Sequence, residues 1–383
     1  MLKKSNNDLS NLIKPFFDLN LFFLVLSIIL FGLLTLFSAS IELSAEKSKV
    51  GPFFYLYKQL GWLMISVFLC SLFVNVSTEN LKKNYKVLLL FSLFLLILVE
   101  LFGKTVGGST RWLSIGPYGF QPSEFFKLFY IVWLCAFLDI NKKNIKQIKI
   151  FMIPFFWLSI GAFFLIKQPD FGSTFILFFM TMLMLFIAKA KYSHLLLIGL
   201  TGSISATLII ISNPYMLKRL AFFNPCENYF QDGYQLCSSL MAIGSGSIFG
   251  KGLGASTSKL FFLPEAHTDF IFAVLGEELG IFGIIFLIFL FYLLFRKCFK
   301  IGDKALRVDL NFQGLLAYAI GIYLMIQVLL NLSVNLGLLP TKGLSLPFFS
   351  YGGSNYLVSL LAVTIVFRIY RDVYKKALHS SIR

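Results

Sequence analysis

About ten stretches of roughly 20 consecutive apolar residues run through this chain, and they decide what it can fold into. In lipid every backbone N–H and C=O must be paired within the protein, so continuous runs of that length are helices. The short alternating segments of a membrane barrel are not present. With 57% hydrophobic and only 14% charged residues, against about 25% charged in ordinary soluble domains, the chain cannot clothe a water-exposed globule. A soluble enzyme and a disordered chain are both excluded. The formal charge of +16 does not point to nucleic acid, because the basic residues sit beside apolar runs and form no separate basic domain. They follow the positive-inside rule instead. The expected fold is an all-α polytopic membrane protein.

The runs place spans at about 19–40, 54–75, 86–103, 122–138, 151–166, 171–188, 193–212, 270–295, 311–334 and 350–370. This leaves a tail at 1–18, a ten-helix membrane domain at 19–370 and a tail at 371–383. Alternate loops carry Lys82, Lys83 and Lys86, then Lys142, Lys143, Lys146 and Lys149, then Lys189 and Lys191, then Arg296, Lys297, Lys300, Lys304 and Arg307. Both termini are therefore expected on the cytoplasmic side. No small-residue cleavage site follows a short apolar region, so the first helix is expected to remain as a signal anchor.

The opposite loops are long and rich in Gly, Pro, Trp and isolated charges. They are KTVGGSTRWLSIGPYGFQPSEFFKL (104–128), QPDFGST (168–174), a long segment at about 213–269, and NLGLLPTKGLSLPFFSYGGSN (335–355). Loops carry function where a scaffold holds them, so the active face is outward. No internal repeat is detectable, which weighs against an inverted-repeat transporter.

Three constellations carry candidate chemistry. In LPEAHTDFIFAVLGEELG, Glu265, His267 and Asp269 crowd the end of a loop before an apolar run. A carboxylate there, partly desolvated, suits a general base. Metal ligation and helix capping by Thr268 or Asp269 are the alternatives, although the spacing matches no helical metal motif. Glu277 and Glu278 follow at membrane depth, where a structural salt bridge competes with chemistry. Around the fourth span, Glu124 and Lys127 share a helical face, either as an internal ion pair or, with Lys104, Arg111 and Trp112, as a headgroup site. Lys167, Gln168 and Asp170 join it from the next outward loop, where Asp170 could orient Lys127 or cap the following helix. The glycine-rich GSGSIFGKGLGAS (244–256) fails as a phosphate loop: Gly244 to Gly250 is one residue too long, and Gly252 stands where Ser or Thr is needed. Its glycines instead allow the backbone to pack closely or to move. Cys226 and Cys237 lie in the long outward segment, where a disulfide persists, and are expected to pair.

These segments, taken in order, resemble the motifs of the SEDS family of bacterial cell-wall polymerases, over about the first span to the tenth. Ala266, Gly276 and LPTKGL at 339–344 resemble its FtsW-like division branch more than the RodA-like elongation branch. The resemblance implies a ten-span fold in the inner membrane at the division septum, and peptidoglycan glycosyltransferase activity on lipid II at the outer leaflet. A lipid II flippase is the rival function. Asp269 is implied as the essential acid, and Glu124 with Lys127 as the essential pair. The motif loops supply Arg111, Trp112, Gln168, Asp170, His267, Lys342, Ser350, Gly352 and Gly353 as further substrate-binding candidates. Phe171, Asn355 and the cysteine pair depart from the family pattern. The implied partners are membrane lipid, other division proteins and a single-span class B penicillin-binding protein, held through the outer loops and spans eight and nine.

Polymerising lipid II turns an α-linked diphosphate donor into a β-1,4 glycoside, so the donor centre inverts. That needs a base on the acceptor side and a stabilised leaving group opposite. Asp269 would take the acceptor proton, while Arg111, Lys127 and Lys342 would neutralise the departing diphosphate. A divalent cation, Mg2+ or Mn2+, could assist, although no ligand set demands one.

Overall fold

The computed structural model describes residues 18–47, 51–106, 109–115, 118–212, 225–227, 233–260, 262–341 and 343–381. Its helices are α1 (Leu19–Lys47), α2 (Phe54–Phe73), α3 (Thr78–Lys83), α4 (Tyr85–Phe102), α5 (Pro122–Ile140), α6 (Ile148–Lys167), α7 (Phe171–Ile187), α8 (Tyr192–Ser212), α9 (Tyr234–Ser245), α10 (Ile271–Arg307), α11 (Asn311–Asn335) and α12 (Gly353–Ser381). All but α3 and α9 coincide with the ten expected spans. Six of the described helices, α1, α2, α4, α6, α10 and α11, are long and apolar enough to cross a membrane on length and composition alone. Among the others, α7 is 17 residues long, and α5 carries Glu124 and Lys127 turned inward from an almost wholly buried helix.

The centre of the bundle is α5 and α11, which pack on each other and are ringed by α4, α7, α10 and α12. Side chains such as Phe126, Tyr130, Phe291, Tyr323 and Tyr356 fill it. The outer helices present Phe282, Phe286, Phe289 and Leu200 outward, at 50% exposure or more. No soluble fold could leave such a surface in water.

The all-α membrane fold holds, and one outward loop adds a small sheet to it. The loop between α4 and α5 holds an antiparallel meander, β1 (Lys104–Val106), β2 (Ser109–Ile115) and β3 (Tyr118–Phe120), in the order β1-β2-β3. Lys104 pairs with Trp112, and Leu113 with Phe120. The strands are too short for a clear alternating pattern, and their Gly and Pro content reads as loop; pairing across the turns makes them strands.

α10 is broken at Gly280, which sits at φ 62° and ψ −159°. Four backbone groups freed by the break find partners in the glycine-rich loop. The Glu277 and Glu278 carbonyls accept from Lys251 and Gly252 N–H at 3.0 and 2.9 Å, and the amides of Ile281 and Phe282 donate to Ser247 and Ile248 carbonyls. A Cβ on Gly280 would stand 2.4 Å from Gly250 N, so no other residue fits this crossing. Irregular backbone at membrane depth is tolerated where protein covers it in this way. The close-packing reading of the glycine segment therefore holds.

Candidate active site

Asp269 stands just before α10. The capping alternative is not realised: Phe270 occupies the cap position and receives no side-chain hydrogen bond. The Thr268 hydroxyl instead donates to the Glu265 carboxylate at 2.7 Å. Glu265 itself is left-handed at φ 56°, and its carbonyl accepts from the amides of both Thr268 and Phe270. That tight turn presents the half-buried Asp269 to a cavity of about 180 Å³, whose lining includes Gln235, Glu265, Asn331, Thr341, Gly343 and Leu344.

No hydrogen bond or ion pair to the Asp269 carboxylate occurs among the described residues. Among the described residues, Arg111 on β2 is the cation that acts on it. Gly343, at φ 60°, lies between them: a Cβ there would sit 3.6 Å from Asp269 Oδ2 and 3.8 Å from Arg111 Nη1. Arg111 is fixed from behind, where its Nε donates to the Gln168 carbonyl at 2.8 Å and Nη2 to the Pro169 carbonyl. Burial pushes the Asp269 carboxyl up from 3.8 to about 7; Glu265 adds repulsion, and Arg111 opposes the rise. A carboxylate poised near neutrality and open to a cavity is equipped to take a proton.

The other expected site residues divide. Trp112 flanks Arg111 on β2, half-buried against Gly119. Gln168 contributes its carbonyl to Arg111, while its side chain is buried at 2% exposure with Nε2 unpaired. Asp170 caps α7 through Ser173 N at 3.1 Å and Ser173 Oγ at 2.8 Å, so it does not orient Lys127. Lys127, fully buried, meets Glu124 at 2.7 Å and lies 5.8 Å over the Tyr323 ring, while Asn355 Nδ2 donates to Glu124 at 3.3 Å. In this conformation the pair is an internal bridge and does not line the cavity. His267 is wedged between Tyr55 and Tyr351, with ring centroids 4.6 and 5.7 Å away, and its carbonyl accepts from Tyr351 N–H. Ser350 closes its own turn by accepting from Leu346 N–H at 2.8 Å. Gly352 accepts from Tyr356 N–H, and Gly353 lies against Trp62, where a Cβ would clash at 2.0 Å. These residues shape the loop beside Asp269 from behind. Lys342 lies outside the described residues.

Glu277 and Glu278 resolve to structure. Glu277 accepts from Lys251 Nζ at 2.7 Å, Ser256 Oγ at 2.6 Å, and Thr257 Oγ1, Thr257 N and Ser258 N at 2.9 to 3.2 Å. Glu278 bridges Lys259 at 3.0 Å and Ser38 of α1 at 2.5 Å. Cys226 and Cys237 form a disulfide, with Cα atoms 5.0 Å apart, that ties the outward segment to α9. Among the described residues no three His, Cys, Asp or Glu side chains cluster as a metal would need.

Two residues that hold the Asp269 main chain, Asn331 of the cavity wall and Asn335 behind it, went unread in the sequence. Asn331 and Asn335, one turn apart on α11, both donate to the Asp269 main-chain carbonyl at 3.0 Å. The signal was present: polar residues spaced by four inside an apolar span face the protein interior and mark a site.

A family model described as cell cycle protein, covering FtsW, RodA and SpoVE, matches residues 18–375. The chain belongs to the FtsW/RodA/SpoVE family. Among curated members of that family, the probable peptidoglycan glycosyltransferase FtsW of Thioalkalivibrio sulfidiphilus is 41% identical over 93% of this chain and 90% of its own length. Its counterpart in Buchnera aphidicola subsp. Baizongia pistaciae is 38% identical over 92% and 93%. Among solved structures, a chain from a peptidoglycan synthase complex that coordinates polymerization and crosslinking superposes with a TM-score of 0.77. It is 28% identical, over 94% of this chain and 99% of that one. The rod shape determining protein RodA of Thermus thermophilus gives 0.70 at 28% identity, over 94% and 98%. The FtsW/RodA/SpoVE match covers every element that builds the cavity, from β2 to the start of α12.

Proposed function

We propose that this chain is a peptidoglycan glycosyltransferase of the division branch that extends glycan strands from lipid II at the outer leaflet, with Asp269 as general base. The observation that carries the reading is the placement of the Asp269 carboxylate: it faces the cavity, burial raises it towards neutrality, and a fixed guanidinium stands across Gly343. The acceptor sugar's 4-hydroxyl gives its proton to Asp269 as its oxygen bonds to the donor's anomeric carbon. The bond from that carbon to the diphosphate breaks on the opposite side, and undecaprenyl diphosphate departs with the electron pair. Arg111, already oriented by two carbonyls, meets the developing negative charge without reorganising. Lys342 is adjacent in sequence to Gly343 and is the second cation proposed for that role.

Lys127 and Glu124 serve the site by holding α5 against α11 and α12. A single-span class B transpeptidase is the proposed partner, at the septum. It would crosslink the strands this chain makes, as the related synthase complex coordinates the two reactions. Purified protein with that partner and lipid II tests the reading. A ladder of glycan strands is the expected product. Movement of lipid II across vesicles without strand growth would identify a transporter instead.

A further inference from the structure

The end of α11 ties together three segments that line the cavity, chiefly through two buried side-chain amides. Asn331 Nδ2 donates to the Asp269 carbonyl at 3.0 Å and to the Leu344 carbonyl at 2.6 Å. Asn335 Nδ2 donates to the same Asp269 carbonyl at 3.0 Å and back to the Asn331 carbonyl at 2.9 Å. The Asn335 carbonyl accepts from Ser239 Oγ of α9 at 2.9 Å, and α9 contributes Gln235 to the cavity. Asn331 and Asn335 are at most 1% exposed. The Asp269 carbonyl precedes the first residue whose carbonyl the α10 ladder uses, since Ala273 and Val274 donate to Phe270. Helix formation therefore leaves the Asp269 carbonyl free, and the two amides occupy it.

We infer that Asn331 and Asn335 are positioning residues for the polymerase reaction, a clamp on the Asp269 main chain that fixes where its carboxylate stands relative to Arg111 and Gly343. This rests on the reading of Asp269 as the base. The clamp grips the main-chain carbonyl, and among the described residues nothing bonds the carboxylate, so orientation is supplied without satisfying the group that must accept a proton. Asn331 joins the two loops that face each other across the site, and Asn335 secures the bond from below. Displacing a reacting group by about 1 Å costs on the order of a hundredfold in rate. Asn331 carries the link to Leu344 as well as the link to Asp269, so its loss is the more damaging of the two.

The test compares Asn331→Leu, Asn335→Leu and Asp269→Asn in the full-length protein with its transpeptidase partner, normalising lipid II polymerisation to folded protein measured by thermal unfolding in detergent. The expected result is a kcat lower by tenfold or more in Asn331→Leu, by less in Asn335→Leu, and a KM within about twofold of wild type. The acid limb of the rate profile should also shift, because the Asp269 carboxylate moves relative to Glu265 and Arg111, the charged groups that act on it among the described residues. Unchanged kcat with an unchanged limb overturns the inference. So does a loss that disappears when activity is expressed per folded molecule, which is the signature of a merely structural role. Full activity in Asp269→Asn would instead break the base assignment on which the clamp depends, and the two failures are thereby told apart.

Discussion

Asp269 and Glu277 lie eight residues apart, on either end of the short helical stretch before the Gly280 break, and the protein treats them in opposite ways. Glu277 is surrounded by hydroxyls, amides and Lys251, and the bonds it accepts tie the glycine-rich loop and the residues just after it to α10. Asp269 has its main chain clamped and its carboxylate left open to the cavity. A satisfied buried carboxylate is a fastener; an unsatisfied one in a cleft is a reagent. The difference follows from what the preceding loop offers. Residues 256–258 are Ser-Thr-Ser and donate to Glu277, whereas the chain before Asp269 puts another acid, Glu265, beside it.

Substitution separates the two most sharply. Asp269→Ala should lower polymerisation by at least about a hundredfold, within the range for a lost general base, while the protein stays folded. Stability should even rise in alkaline solution. The folded value of about 7 exceeds the ordinary 3.8, so the ionised carboxylate is a cost that is absent below the lower value and complete above the higher one. Glu277→Ala should do the reverse. It strands Lys251 and the four donors of residues 256–258, and should destabilise by about 3–5 kcal/mol, read as a fall in thermal midpoint and in yield from membranes.

The Glu124–Lys127 bridge lies between these extremes. If it serves packing, Lys127→Ala should cost stability and activity together, because it leaves Glu124 buried and unpaired. The exchange Glu124→Lys with Lys127→Glu should then recover a good part of both. Activity that stays lost in a folded exchange variant would assign Lys127 to the diphosphate.

The smallest effect is expected from the disulfide. Replacing Cys226 and Cys237 with Ser should cost up to about 3 kcal/mol and leave Asp269 chemistry intact, since the bridge restrains α9 and the segment before it. Unfolding curves with and without reductant give the number.

Much of this was legible in the sequence because lipid makes strict demands: ten runs gave ten helices, and the crowded charges at 265–269 gave the cavity-facing acid. The Cys226–Cys237 pairing was legible too, since both lie in one outward segment. What stayed hidden was reciprocal packing. Nothing in QPDFGST says whether Asp170 turns to Ser173 or to Lys127; the turn geometry at the α6–α7 junction decides it. The spacing of Glu124 and Lys127 fits an ion pair and a headgroup site equally, and the burial supplied by Tyr323 and Asn355, distant in sequence, is what closes it. The short β1–β3 meander depends on pairing across turns, which no single strand announces.

The pH dependence of polymerisation tests the central claim most directly, that Asp269 is a base set near neutrality by burial and by Glu265 against Arg111. The rate of the wild-type complex should rise through about pH 7 as the carboxylate ionises. Glu265→Gln should move that limb to lower pH, because it removes the repulsion that helps hold the proton on. A rate that is flat through neutrality, or a limb that ignores Glu265→Gln, would contradict the account.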